Sequence, residues 1–259
     1  MKNECVYKEM MINTAMIEIP RETYQRPLSP EKVKKIVKEF DERIANEPKI
    51  SCRDGHYYVF DGQHTIAARK ARNNEKDLNI KCKVYYDLTE KEEAILFARQ
   101  TGASTKLGAG DRIRALIYGG DPTATAFQKA TEELGLRLDY DQDRGKKRLA
   151  CVGTAFNEFQ KVGKETYMEA LRIILEAWEG DPESLRRENL VGISRFLDLY
   201  KGEYDRKRLV SRLRRADALT IYREGRAVGV NLAGYKKYLY QVLLIYNGSS
   251  NKHALDIKF

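Results

Sequence analysis

The fold is decided by the stretch Asp54-Gly55-His56-Tyr57-Tyr58-Val59-Phe60-Asp61-Gly62-Gln63-His64-Thr65-Ile66-Ala67-Ala68-Arg69-Lys70. Asp54-Gly55 lies between two short apolar or aromatic runs and is a two-residue hairpin signal, because this turn needs a positive φ that Gly adopts without steric cost. A strand over residues 57–60 follows. The Asp61-Gly62 step then breaks the strand, and the apolar and basic residues after Thr65 recur with helical spacing. The stretch therefore predicts a hairpin, a tight glycine turn and a helix.

The junction between the glycine turn and the helix suits a phosphate group. The first turn of a helix exposes unpaired N–H groups and a partial positive charge, and Gly62 lets the backbone approach a ligand closely. Gln63 and His64 then lie at the mouth of an anion site. The alternative is that Asp61 or Thr65 only caps the helix, while His64 packs or faces water. The spacing by itself leaves both interpretations open.

The other elements of the N-terminal part follow from caps and alternation. A strand is predicted over Met11–Ile19, a helix from Ser29 as N-cap to Phe40, and a strand over Ile80–Tyr86 that turns Cys82 to one face with its apolar neighbours. Thr89 and Glu92 have the spacing of a capping box, which predicts a helix to about Gln100.

The order of these motifs resembles the ParB/sulfiredoxin-like superfamily. Asp61-Gly62-Gln63-His64 stands where that family has a Gly-x-x-Arg or Gly-x-His-Arg turn, and Tyr24-Gln25-Arg26-Pro27-Leu28-Ser29 fits the family pattern ahead of its first helix. The resemblance covers about residues 12–111. It implies an α+β protein, with a ParB/sulfiredoxin-like mixed α/β N-terminal domain, residues 1–110, and a mostly α-helical C-terminal domain, residues 111–259. It also implies a bacterial, phage or plasmid protein that binds DNA.

The same resemblance implies that a nucleoside triphosphate, ATP or CTP with Mg²⁺, is held over the turn. The residues expected at its phosphates are Gly62, Gln63, His64, Thr65, Arg69 and Lys106. Thr65 stands where many relatives have Arg, so Arg69, Lys70 or another basic residue is expected to supply that contact. The family's second nucleotide motif, Glu-Asn-x-x-Arg, has only a loose counterpart at residues 99–107. If the nucleotide is hydrolysed, His64 or Asp61 is the expected catalytic residue, positioning water or a metal ion.

Two other functions fit the same residues. One is an enzyme, either a ParB-like nuclease or a nucleotide-dependent kinase or NTPase, which needs carboxylates near the phosphate site; Asp54, Asp61 and Glu92 are the candidates. The other is a protein that keeps the fold without a ligand. The sulfiredoxin reaction is disfavoured, because sulfiredoxins use a cysteine in this turn and the chain has Gln63 there.

Composition restricts the compartment and the partners. The 259 residues include no run near the roughly 18 apolar residues that a membrane helix needs, and no apolar signal-peptide core, so a cytoplasmic protein is expected. The four cysteines and three histidines lack zinc-ligand spacing, which predicts reduced, structural thiols and no metal cluster. The formal charge of +9 favours a polyanionic partner. The oligomeric state stays open, with a homodimer as one option.

Beyond about residue 110 the strand pattern nearly vanishes and helices are predicted throughout, among them Leu149–Val162, Thr166–Trp178 and Asp205–Tyr222. Two basic clusters lie in this part. The first is Lys146, Lys147 and Arg148, and the second is Arg208, Arg212 and Arg215, which recur three or four residues apart on one helical face. Such a row of cations suits DNA or RNA phosphates, so these six residues predict a nucleic-acid-binding surface. The alternative is a solvated face whose cations pair with nearby carboxylates.

Overall fold

The structure is a computed structural model that describes residues 7–99, 108–141, 143, 145–227, 232, 234–249 and 251–259. The chain divides into two compact units, residues 1–122 and 123–259. The sequence placed a boundary near residue 110. The first unit reaches further because a helix over Ala109–Tyr118 packs against the helix over Glu90–Ala98 that precedes it.

The first unit has a mixed α+β fold built on one five-stranded sheet. Its strands are β1 (Tyr7–Asn13), β2 (Ile17–Glu18), β3 (Lys49–Arg53), β4 (His56–Asp61) and β5 (Asn79–Tyr85). Its helices are α1 (Pro30–Lys38), α2 (Gln63–Arg72), α3 (Glu90–Ala98) and α4 (Ala109–Tyr118). The predicted helix caps are confirmed: the Ser29 side chain accepts a hydrogen bond at the start of α1, and Thr89 and Glu92 form a capping box at α3.

The sheet is strongly curled. Its order is β1-β5-β3-β4-β2, so β1 and β2 form opposite edges although only the 3-10 turn Thr14–Met16 separates them in the chain. The four steps from Asn13 to Ile17 span at most about 14 Å, whereas a flat sheet of five strands is roughly 19 Å wide. The single strand predicted over Met11–Ile19 is therefore wrong in one respect, because the turn redirects the chain from one edge to the other.

The predicted hairpin is confirmed. β3 and β4 pair antiparallel, with Arg53 opposite His56. Asp54 and Gly55 have φ values of 50° and 80°, the pair of positive angles that a type I′ turn requires. This turn fixes the register of β4 and, with it, the point at which the chain leaves the sheet at Gly62.

The core of the first unit lies between the sheet and α2. It consists of Ile12, Ile50, Val59, Ile66, Ile80, Cys82 and Val84. Ile80, Cys82 and Val84 share the buried face of β5, as the alternation predicted. Burial raises the pKa of the Cys82 thiol to about 11, so this thiol is protonated and unreactive at neutral pH.

The second unit is mostly helical. It contains α5 (Pro122–Glu132), α6 (Val152–Trp178), α7 (Arg187–Leu199), α8 (Arg206–Arg215), α9 (Thr220–Ala227) and α10 (Lys236–Asn247), with a short parallel pair, β6 (Arg137–Leu138) and β7 (Arg148–Leu149). Gly163 interrupts α6 with φ 80° and ψ 163°, where the sequence predicted a break. In the described part of the chain no helix is both long and apolar enough to cross a membrane.

One predicted helix of the second unit is divided in two. The sequence predicted a continuous helix over residues 205–222, but α8 ends at Arg215 and α9 begins at Thr220. Ala216 is extended, and the Asp217 carboxylate accepts a hydrogen bond of 2.7 Å from the Leu219 N–H. An Asp side chain that binds the backbone two residues on favours a turn over a helix, which explains the break.

Candidate functional site

Gly62 joins β4 to α2 in a conformation that other residues rarely adopt. Its φ is 98°, and a Cβ placed on it would lie 3.0 Å from the Cα of Pro48. No side chain caps α2, so neither Asp61 nor Thr65 fills the capping role that the alternative interpretation gave them. The N–H groups of the first turn of α2 are therefore not used by a side-chain cap and are available to an anion.

A cleft of about 350 Å³ lies over this turn. The structure brings Asp61, Gly62, Gln63, His64 and Thr65 together at the cleft, as predicted. The other residues of the lining that bear on its chemistry are Gln25, Arg26, Glu39, Phe40, Asp41 and Phe97. The cleft thus combines a helix N-terminus, a guanidinium group, carboxylates and two aromatic rings.

Two buried amide side chains among the lining residues carry oxygens without a partner. Gln25 and Gln63 are only 2% and 4% exposed. The Nε2 of Gln25 donates to the carbonyl oxygen of Val59, and the Nε2 of Gln63 donates to that of Arg26, both at 3.1 Å. These bonds fix both amides, because a flipped amide would place two acceptors together. Each Oε1 is buried without a hydrogen-bond partner in the protein, which is costly unless a ligand or water donates to it.

Arg26 is the residue at the cleft that sequence reasoning missed. Its Nε is buried without a hydrogen-bond partner. Burial lowers the pKa of the Arg26 guanidinium, while the charges of Asp111 and Asp61 act in the opposite direction. The group stays charged, since an Arg pKa begins far above neutrality. Its position within the Tyr24–Ser29 motif was the signal that could have identified it.

His64 has a structural contact that limits a catalytic role. Its Nε2 accepts a hydrogen bond of 3.1 Å from the Ser29 N–H, and its side chain is buried. Burial, with the charges of Arg26 and Lys32, lowers the pKa of His64 to about 4, so the ring is neutral at pH 7. Because Ser29 is the N-cap of α1, the neutral ring ties α1 to the first turn of α2. Nε2 is not free to act as a base while this contact holds.

The remaining predicted phosphate and catalytic residues are placed differently. Asp61 forms an ion pair with Lys49, with 3.1 Å between Oδ2 and Nζ. Arg69 does not line the cleft; it lines an adjoining groove, which shares Phe40 and Asp61 with the cleft, and its Nη2 donates to Glu42 at 3.0 Å. Lys70 is likewise paired, with Asp77. Lys106 lies outside the described residues.

The carboxylates proposed for a nuclease or kinase site are not brought together. Asp54 is in the hairpin turn before β4 and Asp61 ends that strand, a separation of roughly 20 Å along the extended chain. The Glu92 carboxylate accepts hydrogen bonds of 2.8 Å from the N–H and hydroxyl of Thr89 in the capping box. Within the described ranges, no three His, Cys, Asp or Glu side chains form a group that could hold a metal ion.

In the second unit, Lys147 of the first basic cluster and Arg214, which precedes Arg215 of the second, both contact the C-terminal end of α6. The Lys147 N–H donates to the carbonyl oxygen of Gly180 at 2.8 Å, and Arg214 Nη2 donates to that of Glu176 at 2.9 Å. The Trp178 indole N–H holds the turn after α8 through the carbonyl oxygen of Ala216 at 2.9 Å. Unpaired carbonyls at the end of a helix attract cations, which explains the contact that the Arg214 side chain makes with the carbonyl oxygen of Glu176.

The six predicted nucleic-acid contacts divide into two groups. Lys146, Lys147, Arg148 and Arg215 are exposed, although Arg148 lies 3.8 Å from Asp143. Arg208 and Arg212 are half-buried. Arg208 donates to the carbonyl oxygens of Tyr246 and Asn247 at 3.1 and 2.8 Å, which ties α8 to the end of α10. At least one of the arginines on α8 therefore stabilises the packing of α8 against α10 and does not project freely into solvent.

Comparison with known proteins identifies a family. A model described as a family of unknown function, DUF6551, matches residues 19–259. The match extends over most of both units. A comparison with curated proteins gives no match.

Proposed function

The chain belongs to the DUF6551 family, and from its geometry we propose that it is a ParB-like protein that binds a nucleoside triphosphate over Gly62 and nucleic acid through its helical unit. The observation that carries the proposal is the uncapped start of α2, which shares one cleft with Arg26 and with two buried amide oxygens that lack partners. A cytoplasmic location and a homodimer remain predictions from the sequence.

The phosphates are proposed to bind where donors converge. The start of α2, including Thr65, lines the cleft together with Arg26, and we propose that its N–H groups and the Thr65 hydroxyl donate to the phosphates while Arg26 supplies the cation. Hydrogen bonds from a guanidinium or from helical N–H groups to a phosphate are charge-assisted and stronger than neutral ones. Many relatives have an Arg at the position of Thr65 that contacts a phosphate, and we propose that Arg26 makes this contact here.

The rest of the nucleotide is proposed to meet the two amide oxygens. Gln25 and Gln63 offer acceptors, which match the exocyclic amine of adenine or cytosine and the hydroxyls of a ribose. Phe40 and Phe97 add apolar surface at the cleft. Glu39 supplies a carboxylate at the lining, and Mg²⁺ at a triphosphate typically takes one or two carboxylates besides phosphate oxygens.

The contacts of the candidate catalytic residues favour binding over catalysis. The Nε2 of His64 is used by the Ser29 N–H, and Asp61 is paired with Lys49. The His64 nitrogen that could act as a base and one oxygen of Asp61 are therefore already engaged. A nucleotide-dependent switch, in which binding rather than hydrolysis is the signal, is therefore the form of the proposal that the geometry favours.

Nucleic acid is proposed to bind at the end of α6. Lys146, Lys147, Arg214 and Arg215 are exposed and come from two segments that both contact this helix end. Each phosphate that such a cation neutralises releases counterions, so affinity falls steeply with salt. Arg208 and Arg212 are assigned to the packing of α8 instead.

An Arg26→Ala variant is expected to bind labelled ATP, CTP or GTP about 10- to 100-fold more weakly than the wild type in the presence of Mg²⁺, because charge-assisted bonds are worth about 1.5–3 kcal/mol. Equilibrium binding of the three nucleotides, with and without Mg²⁺, measures this. Arg21→Ala is the matched control, since Arg21 is exposed and does not line the cleft. Equal affinity in the Arg26→Ala and Arg21→Ala variants, or no nucleotide binding by the wild type, contradicts the proposed site.

A Lys146→Gln, Arg215→Gln double variant is expected to bind a labelled 20-base-pair duplex more weakly, with a salt-dependence slope smaller by about 2. Fluorescence anisotropy at several salt concentrations measures the slope. The matched control is the Lys161→Gln, Lys164→Gln variant, which removes the same charge from an exposed part of α6 in the same unit. An equal change of slope in both variants would mean that only net charge matters and would contradict the assigned surface.

A further inference from the structure

A second groove in the first unit lies between α1, α2 and the segment around β2. Its volume is about 650 Å³. The side chains of its floor are apolar: Ile17, Ile19, Leu28, Val33, Val37 and Ile66. Ile66 belongs to the buried core, and Ile17 and Ile19 pack against it, so the floor of the groove is continuous with a rigid part of the fold.

Helix α1 is the unusual wall of this groove. Its sequence alternates apolar and basic residues with strong helical amphipathicity, yet none of its residues is buried. Val33 and Val37 line the groove, while Ile36 lines the cleft over Gly62. Moving an aliphatic side chain out of water is favourable in proportion to the apolar area that is covered. A partner that covers the apolar face of α1 would therefore gain binding free energy by burying these side chains.

The rim of the groove is basic. Arg21, Lys34, Lys38 and Lys70 lie around it, against a single carboxylate, Glu75. Lys70 is paired with Asp77. Arg21, Lys34 and Lys38 are exposed and form no ion pair within the part of the chain that the structure describes. The free rim charges are thus positive, and a complementary partner carries carboxylates.

We propose that this groove binds an acidic amphipathic helix of a partner protein. Such helices place apolar anchors at positions i, i+3 or i+4, and i+7 into an apolar groove, and flanking charges select the partner. The apolar floor disfavours a nucleotide or the backbone of a nucleic acid, since both need polar donors along their length. The groove shares Gln63 with the cleft over Gly62, but its apolar side chains and its basic rim lie outside the cleft, so this inference does not depend on the proposed nucleotide site.

The test uses a labelled peptide of about 15 residues, roughly four helical turns, with Leu at the anchor positions and Glu at most others. Anisotropy is expected to report saturable binding that Lys34→Glu weakens about fivefold or more at low salt and that Val37→Asp weakens further. The matched control is Lys35→Glu, an exposed neighbour on the same helix that does not line the groove; it is expected to change affinity less than about twofold. Circular dichroism checks that each variant is folded.

Four results would overturn the proposal. They are no binding of the peptide, equal weakening by Lys34→Glu and Lys35→Glu, equal binding of a peptide with Lys in place of Glu, and a change of oligomeric state on Val37→Asp in sedimentation. The last result would assign the groove to a second copy of the chain. Weakening confined to the groove variants, with the oligomeric state unchanged, supports the acidic helix.

Discussion

A Gly62→Ala variant is expected to lose about 2–4 kcal/mol of stability in the first unit and, where it still folds, to lose nucleotide binding. Two effects add. Ala disfavours a φ of 98°, and its Cβ would lie 3.0 Å from the Cα and 3.2 Å from the Cβ of Pro48, so the backbone of one segment must move. A movement of the turn at Gly62, or of the segment that holds Pro48, shifts the N–H groups of α2 that the proposed site uses. Hydrogen exchange of the amides of β3 and β5 measures the stability.

Gly55→Ala is the control that separates these effects. Gly55 also has a positive φ, 80°, but no atom lies within 4 Å of its missing Cβ. Only the conformational cost applies, so a loss of about 1 kcal/mol and unchanged nucleotide affinity are expected. If Gly62→Ala is no more harmful than Gly55→Ala, the close approach of the turn to Pro48 is not what holds the site.

An Arg53→Leu variant is expected to lose about 3–5 kcal/mol of stability, because it leaves a buried carboxylate without its cation. The Glu93 side chain is 0% exposed, and its Oε1 lies 2.6 Å from the Nε of Arg53. The Tyr24 hydroxyl donates to the other carboxylate oxygen at 2.8 Å, and burial, with the charge of this carboxylate, raises the pKa of Tyr24. The network joins the hairpin to α3, which carries Phe97 to the cleft. Hydrogen exchange of the β3 amides again measures the loss.

Arg43→Leu is the matched control for the charge. Arg43 pairs with Asp41 at 2.6 Å, the same distance, but its side chain is 87% exposed. An exposed ion pair is screened by solvent and contributes little to stability, so a small change is expected. The Arg53→Leu, Glu93→Leu double variant is expected to recover part of the loss, since it removes the unpaired charge as well. Similar losses in Arg53→Leu and Arg43→Leu would show that burial of Glu93 is not decisive.

The local elements of the first unit were predictable because their signals lie within a few residues. Asp54-Gly55 dictates its own turn, and the caps at Ser29 and Thr89 are satisfied by backbone groups three residues away. The curl of the sheet was not predictable. It depends on β1 and β2 pairing with strands that lie about 40 or more residues further along the chain, a choice that alternation does not encode.

The candidate site was predicted in part, for the same reason. Residues 61–65 are consecutive, so the turn brings them together in any structure that forms it. Arg26 reaches the cleft only through tertiary packing. Arg69 lies six residues after Gln63, about 9 Å along the helix axis, and is therefore too far from the N-terminus of α2 to line the cleft. On α8, the spacing of the arginines correctly predicted that they share one face of the helix. It did not predict that Arg208 binds a carbonyl oxygen of α10.

The measurement that tests the central claim most directly is a titration of the backbone amide NMR signals with inorganic triphosphate, ATP and CTP. A phosphate site at the start of α2 predicts saturable shifts at Gln63, His64 and Thr65 with all three ligands, with the largest affinity for a nucleotide. The amides of α7 are expected to stay unchanged. If the signals of residues 62–65 do not move at saturating ligand, or move equally with sodium chloride, the turn does not bind phosphate and the account is wrong.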